Sequence, residues 1–396
     1  MTVGSDRGAE AGGAGSGAVL DERTLNRTLV RRQLLDARVD RPVADAVEYL
    51  VGLHAQIPPG PYFALWARLV GFVPEVLSEL VAQRAMVRIA LMRSTIHLVT
   101  ADDCMRLRSA VQPVLDRDLL SNSAHGRAAK TMDLAKLADA GRRLLDEQPR
   151  SPGELGKRLQ EQWPEVKPET LAYAVRNLVG LVQIPPRGLW GGSGQPVHAT
   201  AEHWLGRSAP DRADVPSLVL RYLAAFGPAS VADVQAWCGL TKLAEVVERL
   251  RPRLVAYRDA HGRELFDVPD GVIADPDTPA PPRFLPEYDN VFLSHADRAR
   301  IIPGGLSFAQ SAKKYGFFLS ARGGVARGML LLDGYLGGTW RIERDAKLDA
   351  FTVFVEPFET VSRRDLAAVE AEGDALLAFY APQAGSRRTE VAAARA

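Results

Sequence analysis

The chain has 396 residues, 46% of them hydrophobic, only two cysteines, and a formal net charge of +1. That length accommodates two to four domains with a sizeable core, and near-neutrality excludes an indiscriminate, histone-like binder of DNA, whose affinity would come from phosphate neutralisation. Cys104 and Cys238, far apart and without ligand-like spacing, exclude a disulfide framework and a zinc cluster; no segment approaches the roughly 18 to 20 apolar residues of a membrane span, so a soluble, cytoplasmic protein is expected. Residues 1–22, rich in Gly, Ala and Ser, read as a flexible tail, without the continuous apolar core of a signal peptide. Six arginines, at 23, 27, 31, 32, 38 and 41, crowd the segment that follows.

Val43, Val47, Leu50 and Val51 recur at helical spacing, and Pro58-Pro59 forbids continuation, which predicts a helix ending near His54. A helix is expected over 74–83, then a strand or hairpin over 86–99, then helices over 101–120 and 133–146, the latter capped by Thr131. Two later stretches repeat one plan. Each opens on a Pro-containing turn, at Ser151-Pro152 and Gly227-Pro228, runs two short helices about a turn and closes in extended apolar residues. Helix, turn, helix and hairpin is the winged-helix plan.

Pro and Asp concentrate from Asp275 to Pro282, as in a linker. Beyond it, 315–320, 328–332, 334–343 and 351–355 read as strands, with Asp333-Gly334 a hairpin turn. Residues 283–380 thus read as a barrel-like β domain closed by an amphipathic helix over 365–380, with a disordered tail over 381–396. From Arg283 to Arg344 nine basic residues face five acidic ones, whereas acids gather after Asp345, an asymmetry that can present one basic face.

The segment Leu53-His54-Ala55-Gln56-Ile57 invites a chemical reading. Residues before a proline are pushed toward extended backbone, where side chains two apart project to the same side, so His54 and Gln56 can address one water molecule. The imidazole can accept its proton and the carboxamide can orient it. A histidine ending an amphipathic helix, with a glutamine capping carbonyls, is the alternative. His97 and His295 read as structural.

The strings from Leu25-Asn26-Arg27 to Leu34-Leu35, Gly52 to Gln56, Pro61 to Leu69, Val87-Arg88 to Val99, and Leu285-Pro286-Glu287-Tyr288-Asp289-Asn290 to Arg298 together resemble the bacterial winged-helix DNA glycosylase family associated with azinomycin resistance. The resemblance implies an α+β chain of three tandem winged-helix domains followed by a C-terminal β-barrel-like domain, bounded here at 23–130, 131–210, 211–275 and 283–380. It also implies a catalytic pair at His54 and Gln56. The family carries Gln-x-Gln, or Gln-x-Asp in a second branch, so Gln56 matches and His54 departs.

The implied enzyme is a monofunctional glycosylase that hydrolyses the N-glycosidic bond of alkylated purines, bulky N7-guanine adducts of a genotoxic natural product, in repair or self-resistance. Its partner is double-stranded DNA, met as a monomer in the nucleoid; no metal, organic cofactor or membrane is implied. Because an N7-alkylated base is cationic and leaves readily, positioned water suffices. Arg322, Arg327, Tyr335 and Trp340, on or beside the 333–334 hairpin, are expected to contact DNA. The competing reading is a non-enzymatic winged-helix regulator or adduct-recognition protein, against which the second helices, poor in base-reading side chains, argue.

Overall fold

The computed structural model describes residues 17–210, 212–306, 308–315 and 327–394. Asp21 accepts a hydrogen bond from the Thr24 N–H and starts the helix Glu22–Arg32. Just ahead of it Val19–Leu20, expected in a tail, pairs in parallel with strand Val255–Asp259. The helix buries Leu25, Leu29 and Val30, and Arg32 grips Asp267 with two hydrogen bonds of 2.7 Å.

The amphipathic segment over 43–51 is helical only through Tyr49. Val51 and Gly52 then take φ values of 56° and 89°, turning the chain before the prolines can act. A Cβ on Gly52 would lie 2.7 Å from Val99 Cγ1, so only glycine fits there. Leu53–His54 is therefore a short strand and not a helix end, paired antiparallel with Ile96–Thr100. That strand pairs with Met86–Ala90 in the expected hairpin, and the single helix expected over 101–120 is two, Ala101–Ala110 and Gln112–Ser121.

The two repeated stretches fold as their patterns predict. Pro152–Gln160 and Pro168–Leu178 precede strands Leu181–Gln183 and His198–Thr200; Val231–Cys238 and Ala244–Leu250 precede Val255–Asp259 and Glu264–Asp267. Capping boxes, Ser151 with Glu154 and Ser230 with Asp233, start both units by satisfying otherwise orphaned N–H groups. The preceding helix, Leu134–Glu147, is capped by Asp133 and not by Thr131. Leu137, Leu155, Leu159, Leu171 and Val175 form a core of their own, whereas a larger core runs without a break from Leu29 through Phe226 to Leu377.

Two arrangements depart from expectation. Strand Met86–Ala90 also pairs with Leu181–Gln183, so five strands from two expected domains form one sheet: Leu53–His54, Ile96–Thr100, Met86–Ala90, Leu181–Gln183 and His198–Thr200. The C-terminal region is no closed barrel among the described residues. It is an open five-stranded sheet in the order Ser386–Val391, Ala350–Pro357, Tyr335–Asp345, Arg327–Leu332, Arg283–Pro286. Its last strand lies in the expected tail: helix Arg363–Tyr380 carries the chain back so that Ser386–Val391 runs parallel to Ala350–Pro357. Of the strand expected over 315–320, Tyr315 ends the helix Phe308–Tyr315 and the rest lies outside the described residues.

Candidate active site

Where the first sheet meets the C-terminal one, a cavity of about 1000 Å³ opens. One wall is His54 with Ile57–Gly60, a second is the loop Leu189–Ser193, and a third is Pro286–Tyr288 with Arg327, Ile342, Arg344 and Phe351. Tyr380–Ala384 form the fourth. Phe63, Trp190 and Tyr380 make much of the surface aromatic, Phe63 and Tyr380 stacking with ring centroids 5.9 Å apart.

The register that pairs His54 with His97 sets their rings edge to face, 5.5 Å apart, and His54 also meets the Tyr288 ring at 5.2 Å. Burial, reinforced by the Arg93 charge and only partly countered by Asp289, pushes the His54 imidazole down to about 4. It is neutral at pH 7, a hydrogen-bonding group and a weak base. His97 is fully buried; Nδ1 lies 3.0 Å from the Thr95 carbonyl, and Nε2 has no partner. Burial, with His54 and Arg93 nearby, drives it well below the usual histidine range.

Gln56 stands between two wall residues, His54 and Ile57, but its own side chain is exposed and does not line the cavity. Its Oε1 accepts a 3.2 Å hydrogen bond from the Ile96 N–H, which leaves a second lone pair for another donor. Between them, the Ala55 carbonyl accepts from Arg88 Nη2 at 2.7 Å and its N–H donates to the Ile96 carbonyl. Arg88 is 2% exposed and its Nε and Nη1 have no partner, so burial lowers it to about 10.

The opposing turn is fixed from within. Arg68, wholly buried, binds Asp289 through two hydrogen bonds of 2.7 and 2.8 Å, donates to the Gln33 and Ala64 carbonyls, and so anchors the residue after Tyr288. Asn290 Nδ2 donates to the Gly52 carbonyl at 2.7 Å, tying that turn to the His54 strand. Glu287, on the cavity wall, is 3% exposed with neither carboxylate oxygen hydrogen-bonded. Burial, opposed only by Arg327, raises it to about 7.

The four residues expected to contact DNA are differently placed. Arg322 lies outside the described residues. Arg327 is half-buried on the cavity wall, its Nε without a partner. Tyr335 follows the hairpin turn and is half-buried. Trp340 is no surface contact: it is 2% exposed, and its indole N–H donates to the Leu285 and Met329 carbonyls at 2.9 and 3.2 Å. The hairpin tip itself is held down. Asp333 is bound by Arg23 and Arg27, and the Gly334 carbonyl accepts from Asn26 at 2.8 Å, so it is no free-standing probe. His295, buried between Ser294 and the Phe226 carbonyl, sits in a structural network. Sequence reasoning missed Arg88 and Glu287, whose burial arises from the packing of distant segments; an arginine inside the otherwise apolar string Met86–Met92 was the one available signal.

A family model described as DNA glycosylase AlkZ-like matches residues 47–379. Among solved structures, the Streptomyces sahachiroi DNA glycosylase AlkZ superposes with a TM-score of 0.74 at 18% sequence identity, covering 94% of this chain and 100% of that one. At that identity the likeness is one of fold. No curated protein matches the chain.

Proposed function

The chain belongs to the AlkZ-like family of DNA glycosylases, and we propose that it hydrolyses the N-glycosidic bond of bulky, N7-alkylated guanine in duplex DNA, releasing the adducted base and leaving an abasic site. The cavity carries this reading. Its volume of about 1000 Å³ stands at the upper end of ligand pockets, and its aromatic surface suits the flat, apolar part of an adduct better than a bare purine. Such a lesion is cationic at the base, so departure needs little acid catalysis and the protein has chiefly to place water below C1′.

His54 and Gln56 are the pair proposed to hold that water. His54, neutral, accepts a hydrogen bond from it; Gln56, whose Oε1 is engaged by the Ile96 N–H, donates to its oxygen through the carboxamide N–H, which leaves the second water proton for a base. Arg88 fixes the peptide between them. Arg327 is the proposed contact to phosphate, with Tyr335 a second one at the turn end of the same hairpin, and the protein acts as a monomer in repair or in self-resistance to a genotoxic product. The test is incubation with duplexes bearing simple and bulky N7-guanine adducts, followed by hot alkali. Strand cleavage at the lesion is expected, and Gln56→Ala should reduce it far more than it reduces binding. No cleavage of any adduct, with sequence-selective binding to undamaged DNA, refutes the reading in favour of a regulator.

A further inference from the structure

A carboxylate buried without a single hydrogen bond is costly, and an apolar residue of similar size would suit a purely structural position better. Glu287 is such a group: 3% exposed, both oxygens without partners, and placed on the wall of the cavity that holds His54. It precedes Tyr288, whose ring lies 5.2 Å from that of His54, and the bidentate Arg68–Asp289 pair fixes the turn that carries both. The other titratable groups on the cavity wall are His54, Tyr288, Arg327, Arg344, Asp349 and Tyr380. Burial pushes His54 to about 4, too weakly basic to take a proton, whereas Glu287 stands at about 7.

We propose that Glu287 is a catalytic residue, the proton acceptor for the attacking water, an assignment that rests on the glycosylase reading above. As the water oxygen bonds to C1′, the C1′–N9 bond breaks and its electron pair passes to the base, neutralising the N7-alkyl cation. The water proton moves to a Glu287 oxygen and is later lost to solvent. While ionised, the same carboxylate faces the positive charge that shifts from base to sugar.

Single-turnover excision of an N7-alkylguanine duplex, with enzyme in excess, between pH 5.5 and 8.5 tests this. Wild-type rates should rise with pH along a limb centred at or below about 7, since the acceptor must be ionised. Glu287→Gln should slow excision by about 100-fold or more and abolish the limb, while Glu287→Asp keeps a limb at reduced rate. Affinity of Glu287→Gln for the lesion duplex, by fluorescence anisotropy, should stay within about threefold, a change too small to account for such a loss. Its melting temperature at pH 8 should equal or exceed that of wild type, because an unpaired buried charge has been removed. A variant that excises at wild-type rate with the same limb overturns the proposal and leaves the glycosylase reading intact. One that melts well below wild type assigns Glu287 to the fold and also overturns it. A wild-type protein without excision on any adduct removes both.

Discussion

Separating Arg68 from Asp289 is the sharpest test of how the site is held. Neither side chain is more than 1% exposed, and their two hydrogen bonds measure 2.7 and 2.8 Å. Replacing one member leaves the other charged in the core, which costs about 3–5 kcal/mol, whereas replacing both by apolar groups is often nearly neutral. Asp289→Ala also deprives the Val291 N–H of its cap, worth about 1 kcal/mol. Arg68→Met and Asp289→Ala should therefore each destabilise by about 3–6 kcal/mol, and the double variant by no more than the milder of the two, since it leaves no uncompensated charge. Urea denaturation followed by tryptophan fluorescence measures this. Because the pair anchors the turn carrying Glu287 and Tyr288, surviving Asp289→Ala protein should also lose excision activity at temperatures where it remains folded. Single variants within about 1 kcal/mol of wild type, or effects that simply add, would refute the reasoning.

His54→Gln should retain excision within about fivefold, because a carboxamide can replace a neutral imidazole as hydrogen-bond acceptor, whereas His54→Ala should lose at least about tenfold; equal loss in both would show that the imidazole itself is needed. Folding should be acid-sensitive. His54 and His198 are held at about 4 and His295 at about 3, below the unfolded value near 6.5, so the stability they contribute is complete above pH 6.5 and is lost as pH falls toward 4. The slope approaches about 1.4 kcal/mol per pH unit for each histidine, and a melting temperature flat from pH 7 to 5 would contradict it. Trp340→Ala should cost about 3–5 kcal/mol in a thermal melt; unchanged stability with weakened DNA binding would show that Trp340 is a surface contact after all.

Local patterns were legible where local physics decides. Pro74 opening a helix, Asp333-Gly334 making a hairpin with both residues at positive φ, and the two capping boxes are readable from a few adjacent residues. Val51 misled the reading of its helix because its apolar spacing continues while the backbone has already turned left-handed ahead of Gly52. Pairing between distant segments was invisible for a different reason. The contacts of Arg27 with Asp333, of Arg68 with Asp289 and of Asn290 with Gly52 each join residues more than 200 positions apart, and no periodicity announces them. The site was legible as a place, His54 and Gln56, but the unpartnered state of Glu287 depends on what the fold leaves empty around it. Charged residues in the C-terminal segment concealed a strand whose pairing partner, Ala350–Pro357, lies on the far side of the preceding helix in the chain.

The five-stranded sheet shared by the first two expected domains bears on how this protein can be taken apart. Cutting between residues 130 and 131 would strip Leu181–Gln183 from Met86–Ala90, leaving the latter, buried along its whole length, as a raw edge with only Ile96–Thr100 between it and the His54 strand. An exposed apolar edge is a template for association with other chains. Fragments made at that boundary should therefore precipitate or swap strands, and dissection should instead cut across exposed loops that no strand pair spans. The second expected domain thus supplies the two strands that cover one edge of the sheet on whose opposite edge the first displays His54.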